Sequence, residues 1–120
     1  MQRPYQQLDY QEQSGVFCVR LKRDNLHEDG LEKLSAEMAR LIDEDGCRKM
    51  ILSLGPGDLE CLYSVFLAKL INLQRRLESV GGSMVLTEVS PNTQDVFRAT
   101  GLDRFFKFYP DQTSALQSFA

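Results

Sequence analysis

The chain alternates between short apolar runs and longer segments with helical periodicity. The run 16–21 (VFCVRL) is of strand length and rich in β-branched and aromatic residues, and a weakly alternating stretch, 5–12, precedes it. Between them, Ser14 and Gly15 have the character of a turn. The first part of the chain is therefore predicted to form a β-hairpin.

Three further apolar runs predict strands at 49–54, 83–87 and 105–109. The glycines and proline of 55–57 interrupt the chain after the first of these runs. In the aromatic run, we expect the phenylalanines to supply the core and one exposed position. The segments between the strands have helical spacing.

Four helices are predicted from that spacing and from their end signals. The first has an apolar stripe at Leu31, Leu34, Met38, Leu41 and Ile42. The second has a wider apolar face at Phe66, Leu67, Leu70, Ile71, Leu73, Leu77 and Val80. Asp29 is the predicted N-cap of the first helix, and Gly46 is its left-handed stop. Ser90-Pro91 opens a third helix that ends before Gly101, and 113–119 forms the last helix.

The order of elements predicts the fold class. Strands that alternate with helices imply crossover units and a largely parallel sheet, and the hairpin adds an antiparallel edge. We therefore predict an α/β fold, with a mixed, mostly parallel sheet of about five strands and about four helices. The chain of 120 residues suits one domain, 1–120, with a disordered start at 1–4.

Composition narrows the range of partners. Hydrophobic residues make up 42% and charged residues 26% of the chain, and the formal net charge is −3. This balance argues against a nucleic-acid groove, which requires clustered Lys and Arg, and gives no support for an anionic membrane surface as partner. No run approaches the roughly 20 apolar residues of a spanning helix, and the start, 1–12, is polar. We expect a cytoplasmic protein.

The residues that usually carry catalysis form no complete set. Cys18, Cys47 and Cys61 are widely spaced, and His27 is the single histidine, so free thiols and a surface histidine are expected rather than a metal site or a Cys–His nucleophile. The segment 55–58 lacks the pattern of a phosphate-binding loop. No cofactor, metal or enzymatic activity is therefore predicted.

Two groups of acids remain as acid/base candidates. Asp43, Glu44 and Asp45 lie at the polar end of the first helix, where a solvated surface is expected. Asp58 and Glu60 flank a loop that offers no base or metal ligand to complete a centre.

Ser64 is of interest because it lies where the loop ends and the second helix begins. A helix N-terminus has unpaired N–H groups and a partial positive charge, which suit either a capping serine or a bound phosphate. Ser64 is therefore either a structural cap or a phosphorylatable switch.

From Val16 to the C-terminus the chain resembles a STAS domain, the fold of bacterial anti-sigma factor antagonists. The resemblance is carried by the strand 50–54, the loop 58–62, the helix opening 63–68, the stretch 77–86, and the short motifs at 89–91, 96–97 and 100–102. The succession Gly-Gly, strand, Ser-Pro, helix, Thr-Gly-Leu is its most specific part.

In that family the second helix opens with Asp-Ser/Thr-Ser/Thr-Gly-Leu-Gly, and an anti-sigma kinase phosphorylates the first hydroxyl. The matching position here is Ser64, whereas Tyr63, Val65, Phe66 and Ala68 depart from the pattern. The resemblance implies a binding partner that is an anti-sigma factor or a switch-type protein kinase. The implied partner-binding residues are Asp58, Glu60, Tyr63, Ser64 and Phe66.

Two other interpretations stay open at this point. The chain is alternatively a nucleotide-binding or enzymatic α/β protein, with the acids and Ser64 in a cleft at the carboxyl ends of the strands. A STAS subunit of a lipid-transport or scaffold complex also fits the resemblance.

Overall fold

A computed structural model of the chain describes residues 8–21, 28–55 and 63–119, with the backbone alone at 28, 29 and 63. Within these ranges the chain forms five strands and four α-helices. The strands are β1 (Leu8–Gln13), β2 (Val16–Leu21), β3 (Lys49–Ser53), β4 (Ser83–Thr87) and β5 (Lys107–Tyr109). The helices are α1 (Glu28–Asp43), α2 (Tyr63–Ser79), α3 (Pro91–Ala99) and α4 (Gln112–Ser118).

The strands form one sheet in the order β1-β2-β3-β4-β5. β1 is antiparallel to β2, and the other neighbouring pairs are parallel. Ser14 and Gly15 join β1 to β2 with φ angles of 52° and 81°, as a type I′ hairpin turn requires. The prediction of a mixed, mostly parallel sheet with four helices is confirmed.

The main core lies on one face of the sheet. Right-handed crossovers between strands that are adjacent in sequential order bring every connecting helix to the same face. There α1, α2 and α3 pack against alternate residues of the central strands, Met50 and Leu52 of β3 and Met84 and Leu86 of β4. The five residues of the stripe predicted for α1 are all buried in this core.

The opposite face of the sheet has a smaller core. Val16 and Cys18 of β2, Ile51 of β3 and Val85 of β4 pack there with Ala115 of α4. Contacts of α4 with the sheet are mainly to β3, β4 and β5. A seven-residue helix therefore covers this face, whereas three helices cover the other.

Most helix ends follow the predicted chemistry. The Ser90 hydroxyl accepts a hydrogen bond from the Thr93 N–H at 3.2 Å, which makes it the N-cap of α3. Gly46 and Gly101 have φ angles of 77° and 75° and follow the ends of α1 and α3. The prediction that Asp29 caps α1 is wrong, because α1 begins at Glu28 and Asp29 lies inside its first turn.

The last strand is shorter than predicted. The Phe105 N–H donates to the Leu102 carbonyl at 2.9 Å and closes a 3₁₀ turn over Leu102–Arg104, so pairing with β4 begins at Lys107. Phe106 is buried and Phe108 half-buried, while Phe105 is 60% exposed. The expectation of one exposed phenylalanine is confirmed.

Two of the cysteines are buried free thiols, as predicted. Burial raises the pKa of the Cys47 thiol to about 12 and also raises the pKa of Cys18. Because the thiolate is the nucleophilic form, both groups are unsuited to covalent catalysis. Cys61 and His27, like the start 1–4, lie outside the described residues.

Candidate functional site

The chain leaves β3 at a position that the neighbouring strand fixes. The Leu54 N–H donates to the Thr87 carbonyl at 3.0 Å, which extends the contact with β4 beyond the strand itself. A Cβ atom on Gly55 would lie 2.7 Å from the Cβ of Glu88, so a side chain at this position would clash. Glycine thus allows the connection to α2 to start close against the end of β4.

The position of α2 depends first on its buried face. The side chains of this face that are buried in the main core are Phe66, Leu67, Leu70, Leu73 and Leu77. Two ion pairs with α1 then fix the outer side of the helix. Lys69 Nζ lies 2.8 Å from Glu32 Oε1, and the guanidinium of Arg76 contacts both carboxylate oxygens of Asp43 at 2.8 and 3.3 Å.

The acids of 43–45 are engaged in structural contacts. The hydrogen bond from Arg76 holds the pKa of Asp43 below its ordinary value, and Glu44 forms an ion pair with Arg40 at 3.6 Å. A general acid near neutral pH needs its carboxyl pKa shifted upward. The shift at Asp43 has the opposite sign, so this group is an ion-paired surface carboxylate.

Ser64 lies in the first turn of α2 and is exposed. It is the second residue of the helix, inside the turn rather than at the cap position. Val65, beside it, is 38% exposed. The first turn of α2 contains no acidic residue, so the partial positive charge of the helix end is not offset there by its own side chains.

The structure corrects the placement of Phe66. Its side chain is 1% exposed and packs in the main core, so it is not part of a surface that a partner can contact. Helical periodicity is the reason, because residues 66, 70, 73 and 77 lie on one face of α2, whereas Ser64 and Val65 are turned away from it. Asp58 and Glu60 lie outside the described residues, and Tyr63 is the first residue of α2.

A second polar group, which the sequence did not single out, lies on the other face of the sheet. Ser53 and Thr87 end β3 and β4, are paired in register, and are both buried. Each is a polar residue at the end of an apolar strand, and this is the feature of the sequence from which the two residues could have been predicted as candidates. Within 8–21, 28–55 and 63–119 no cluster of His, Cys, Asp or Glu is arranged to hold a metal ion.

The chain belongs to the STAS domain family, whose model matches residues 7–115. The matched region includes the whole sheet and extends into α4. The family predicted from the sequence is therefore confirmed. As to membranes, no helix in the described part of the chain is long and apolar enough to span one.

Solved structures with the same fold include three anti-sigma factor antagonists or STAS proteins. The phosphorylated form of the Bacillus cell fate determinant SpoIIAA is 19% identical, with a TM-score of 0.70 over 94% of this chain and 99% of that one. A STAS domain protein from Planctomyces limnophilus is 19% identical, with a TM-score of 0.77 over 92% and 96%. An anti-sigma factor antagonist from Mycobacterium paratuberculosis is 21% identical, with a TM-score of 0.73 over 98% and 97%.

Proposed function

We propose that this protein is a regulatory interaction module that binds an anti-sigma factor or a switch-type protein kinase. The match to the STAS family over residues 7–115 carries the proposal. Anti-sigma factor antagonists are among the solved structures that share the fold, and SpoIIAA is one of them in a phosphorylated form. The acids of 43–45 are held in ion pairs or lie at a solvated helix end, which favours binding over acid/base chemistry.

The proposed binding surface surrounds the start of α2. Ser64 is exposed there, with Val65 as its exposed apolar neighbour. We include Asp58, Glu60 and Tyr63 in this surface on the strength of the family resemblance. Phe66 contributes indirectly, because its buried side chain anchors the first turn of α2 to the core.

Phosphorylation of Ser64 would switch the complex off. A phosphate adds a charge of about −1.5 to −2. The N-terminus of α2 tolerates this charge because the helix dipole favours an anion there, so the fold persists. A partner packed over the same surface would instead have to desolvate the phosphate, and an acidic group of the partner there would be repelled by it.

The experiment compares Ser64→Asp and Ser64→Ala with the unmodified chain. The tagged chain first identifies its partner by co-purification and mass spectrometry, and the purified pair is then titrated by calorimetry. We expect Ser64→Ala to bind with unchanged affinity and Ser64→Asp to bind at least about tenfold more weakly, or about 1.4 kcal/mol. Circular dichroism should show the same helix content for all three proteins.

Ser79→Asp is the matched control, because Ser79 is an exposed serine at the opposite end of α2. This variant should keep the affinity of the unmodified chain. Equal binding by Ser64→Asp and the unmodified chain would contradict the switch. Recovery of metabolic enzymes, with no regulatory protein among the partners, would contradict the interaction module itself.

A further inference from the structure

A row of polar residues crosses the sheet on the face opposite α1, α2 and α3. Cross-strand pairing places Asp9 beside Arg20, Arg20 beside Ser53, Ser53 beside Thr87, and Thr87 beside Tyr109. Residues that are paired in register point to the same face. This row therefore runs across all five strands near the carboxyl ends of β2 to β5.

A groove of about 480 Å³ lies along the β1 and β2 end of this row. Its size is within the range of roughly 300 to 1,000 Å³ that is usual for small-molecule sites. Its lining includes residues from β1 to β3 and from the start of α4, among them Asp9, Gln11, Cys18, Arg20, Ser53 and Gln112. The groove exists because α4 packs mainly on β3, β4 and β5.

Ser53 is the polar group at the floor of the groove. It is 8% exposed, and its hydroxyl has no hydrogen-bond partner among the residues that the structure describes. The Thr87 hydroxyl, next to it in register, is 1% exposed and equally without a partner in that part of the chain. A buried hydroxyl without a partner lowers stability, and a ligand that reaches Ser53 would satisfy it.

Charge complementarity narrows the class of ligand. Arg20 and Asp9 are direct cross-strand neighbours that bring a guanidinium and a carboxylate to one wall of the groove. The contact of Arg20 with Glu88 is 3.7 Å long, which is longer than a direct hydrogen bond, and a guanidinium has five N–H donors. Arg20 is therefore suited to receive a carboxylate while its ion pair persists.

We propose that the groove binds a small zwitterion of the free amino-acid class. Its carboxylate would lie at Arg20 and its ammonium group at Asp9, with Ser53 bonding to the carboxylate from the floor of the groove. Gln112 and Gln11 provide amide groups at the rim for a polar side chain of the ligand. The site is on the face of the sheet opposite the one that α2, the helix that carries Ser64, packs against.

The test titrates the ¹⁵N-labelled chain with each standard L-amino acid and follows the backbone amide signals by NMR. At least one amino acid should give saturable shifts with a Kd of about 1 mM or tighter. The shifts should centre on 9–11, 18–20, 53 and 112. The amine that lacks the carboxylate of the best binder, and the acid that lacks its amino group, should each bind at least about tenfold more weakly.

Arg20→Gln and Ser53→Ala should each weaken binding of that amino acid at least about tenfold. Arg98→Gln is the matched control, because Arg98 is an exposed arginine of α3, paired with Asp95, and should leave the Kd unchanged. Ser64→Asp should also leave it unchanged, which separates this site from the partner-binding surface.

Three results would overturn the proposal. The first is the absence of saturable shifts with every amino acid up to about 10 mM. The second is a set of shifts that lies away from the groove or persists in Arg20→Gln. The third is binding of the matching amine or acid that is as tight as binding of the amino acid itself. The ligand would then not need both charged groups, which contradicts a site for a zwitterion. Because the amine and the acid are tested on the unmodified chain, the proposal stays falsifiable even where a variant fails to fold.

Discussion

Ser53 and Thr87 show what a single residue contributes to this fold and what the sequence conceals. Each ends an apolar strand, and a polar residue at a strand end is ordinarily read as the point where the chain returns to solvent. In the structure both residues are buried. They are paired in register, so their side chains are neighbours on the same face of the sheet. Register depends on pairing between distant segments, so the sequence alone could not bring the two hydroxyls together.

The Thr87 hydroxyl should lower the stability of the protein. Thr87→Val keeps the shape of the side chain and removes a buried group that has no partner in the described chain. We expect the free energy of unfolding to stay equal or to rise by about 1 kcal/mol, as measured by urea denaturation.

Thr93→Val is the comparison for that change. Thr93 is also buried, but its hydroxyl oxygen accepts a hydrogen bond from Ser90 at 3.0 Å. Removal of the acceptor should lower the free energy of unfolding by about 1 kcal/mol or more. A loss of that size in Thr87→Val would mean that its hydroxyl makes a stabilising contact.

Ser64 and Phe66 mark the limit of site prediction from the sequence. The same pattern that placed Phe66 on the apolar face of the second helix implied that its side chain is buried, and this excludes it from a binding surface. The family motif, by contrast, is a linear string and says nothing about which of its residues face solvent. The helical period determines which residues of the motif face solvent: Ser64 is exposed and Phe66 is buried.

At the scale of elements, the helices were easier to predict than their ends. The apolar stripe of α1 and the Ser90-Pro91 start of α3 are local features, so the sequence was sufficient. The start of α1 lies among several polar residues that suit a first turn, and no apolar period marks which of them comes first. The aromatic run 105–109 likewise satisfies both a strand and a 3₁₀ turn, and the contact with β4 decides between them.

Leu70 tests the buried face of α2. It is fully enclosed in the main core, so Leu70→Ala should lower the free energy of unfolding by about 2 to 5 kcal/mol. Asn72→Ala, an exposed position on the same helix, should change it by less than about 0.5 kcal/mol. Urea denaturation of both variants gives the comparison. Equal effects would mean that the assigned face of α2 is wrong.

The ion pair between α1 and α2 should make stability depend on pH. Arg76 lowers the pKa of Asp43 in the folded state, so the pair stabilises the protein above the ordinary Asp pKa and is lost as the pH falls through the lowered folded value. Asp43→Asn should therefore be less stable than the unmodified chain at about pH 7, and the difference should shrink as the pH falls below the ordinary Asp pKa.

The control for that prediction is the same substitution in an Arg76→Gln background. Without the guanidinium, Asp43→Asn should no longer change the pH dependence of the free energy of unfolding, because the hydrogen bond is the largest cause of the pKa shift. If Asp43→Asn still changes the pH dependence of the free energy of unfolding in this background, a charge other than Arg76 lowers the pKa of Asp43.

At the scale of the whole molecule, the winding of the chain leaves the two faces of the sheet unequally covered. Strands in sequential order with right-handed crossovers bring α1, α2 and α3 to one face, and α4 packs on the other. The alternation of strands and helices was enough to predict a mostly parallel sheet. Strand order was not predictable in the same way, because it is set by long-range packing, and the groove beside β1 and β2 follows from that order.

Ala115 decides whether the face under α4 is part of the core or an accessory surface. It is completely buried between α4 and the sheet, against Val16, Ile51 and Val85. Ala115→Asp would place a carboxylate in this apolar cluster, where it would have no partner. If the cluster belongs to the cooperative core, the free energy of unfolding should fall by about 3 kcal/mol or more.

Gln117→Asp introduces the same charge two residues further along α4 at an exposed position, and it should cost less than about 0.5 kcal/mol. Urea denaturation monitored by circular dichroism measures both effects on the whole sheet. Equal, small losses would mean that α4 can detach while the rest of the molecule stays folded. In that case the groove would have a movable wall at Gln112, whereas a large loss specific to Ala115→Asp makes α4 a fixed wall.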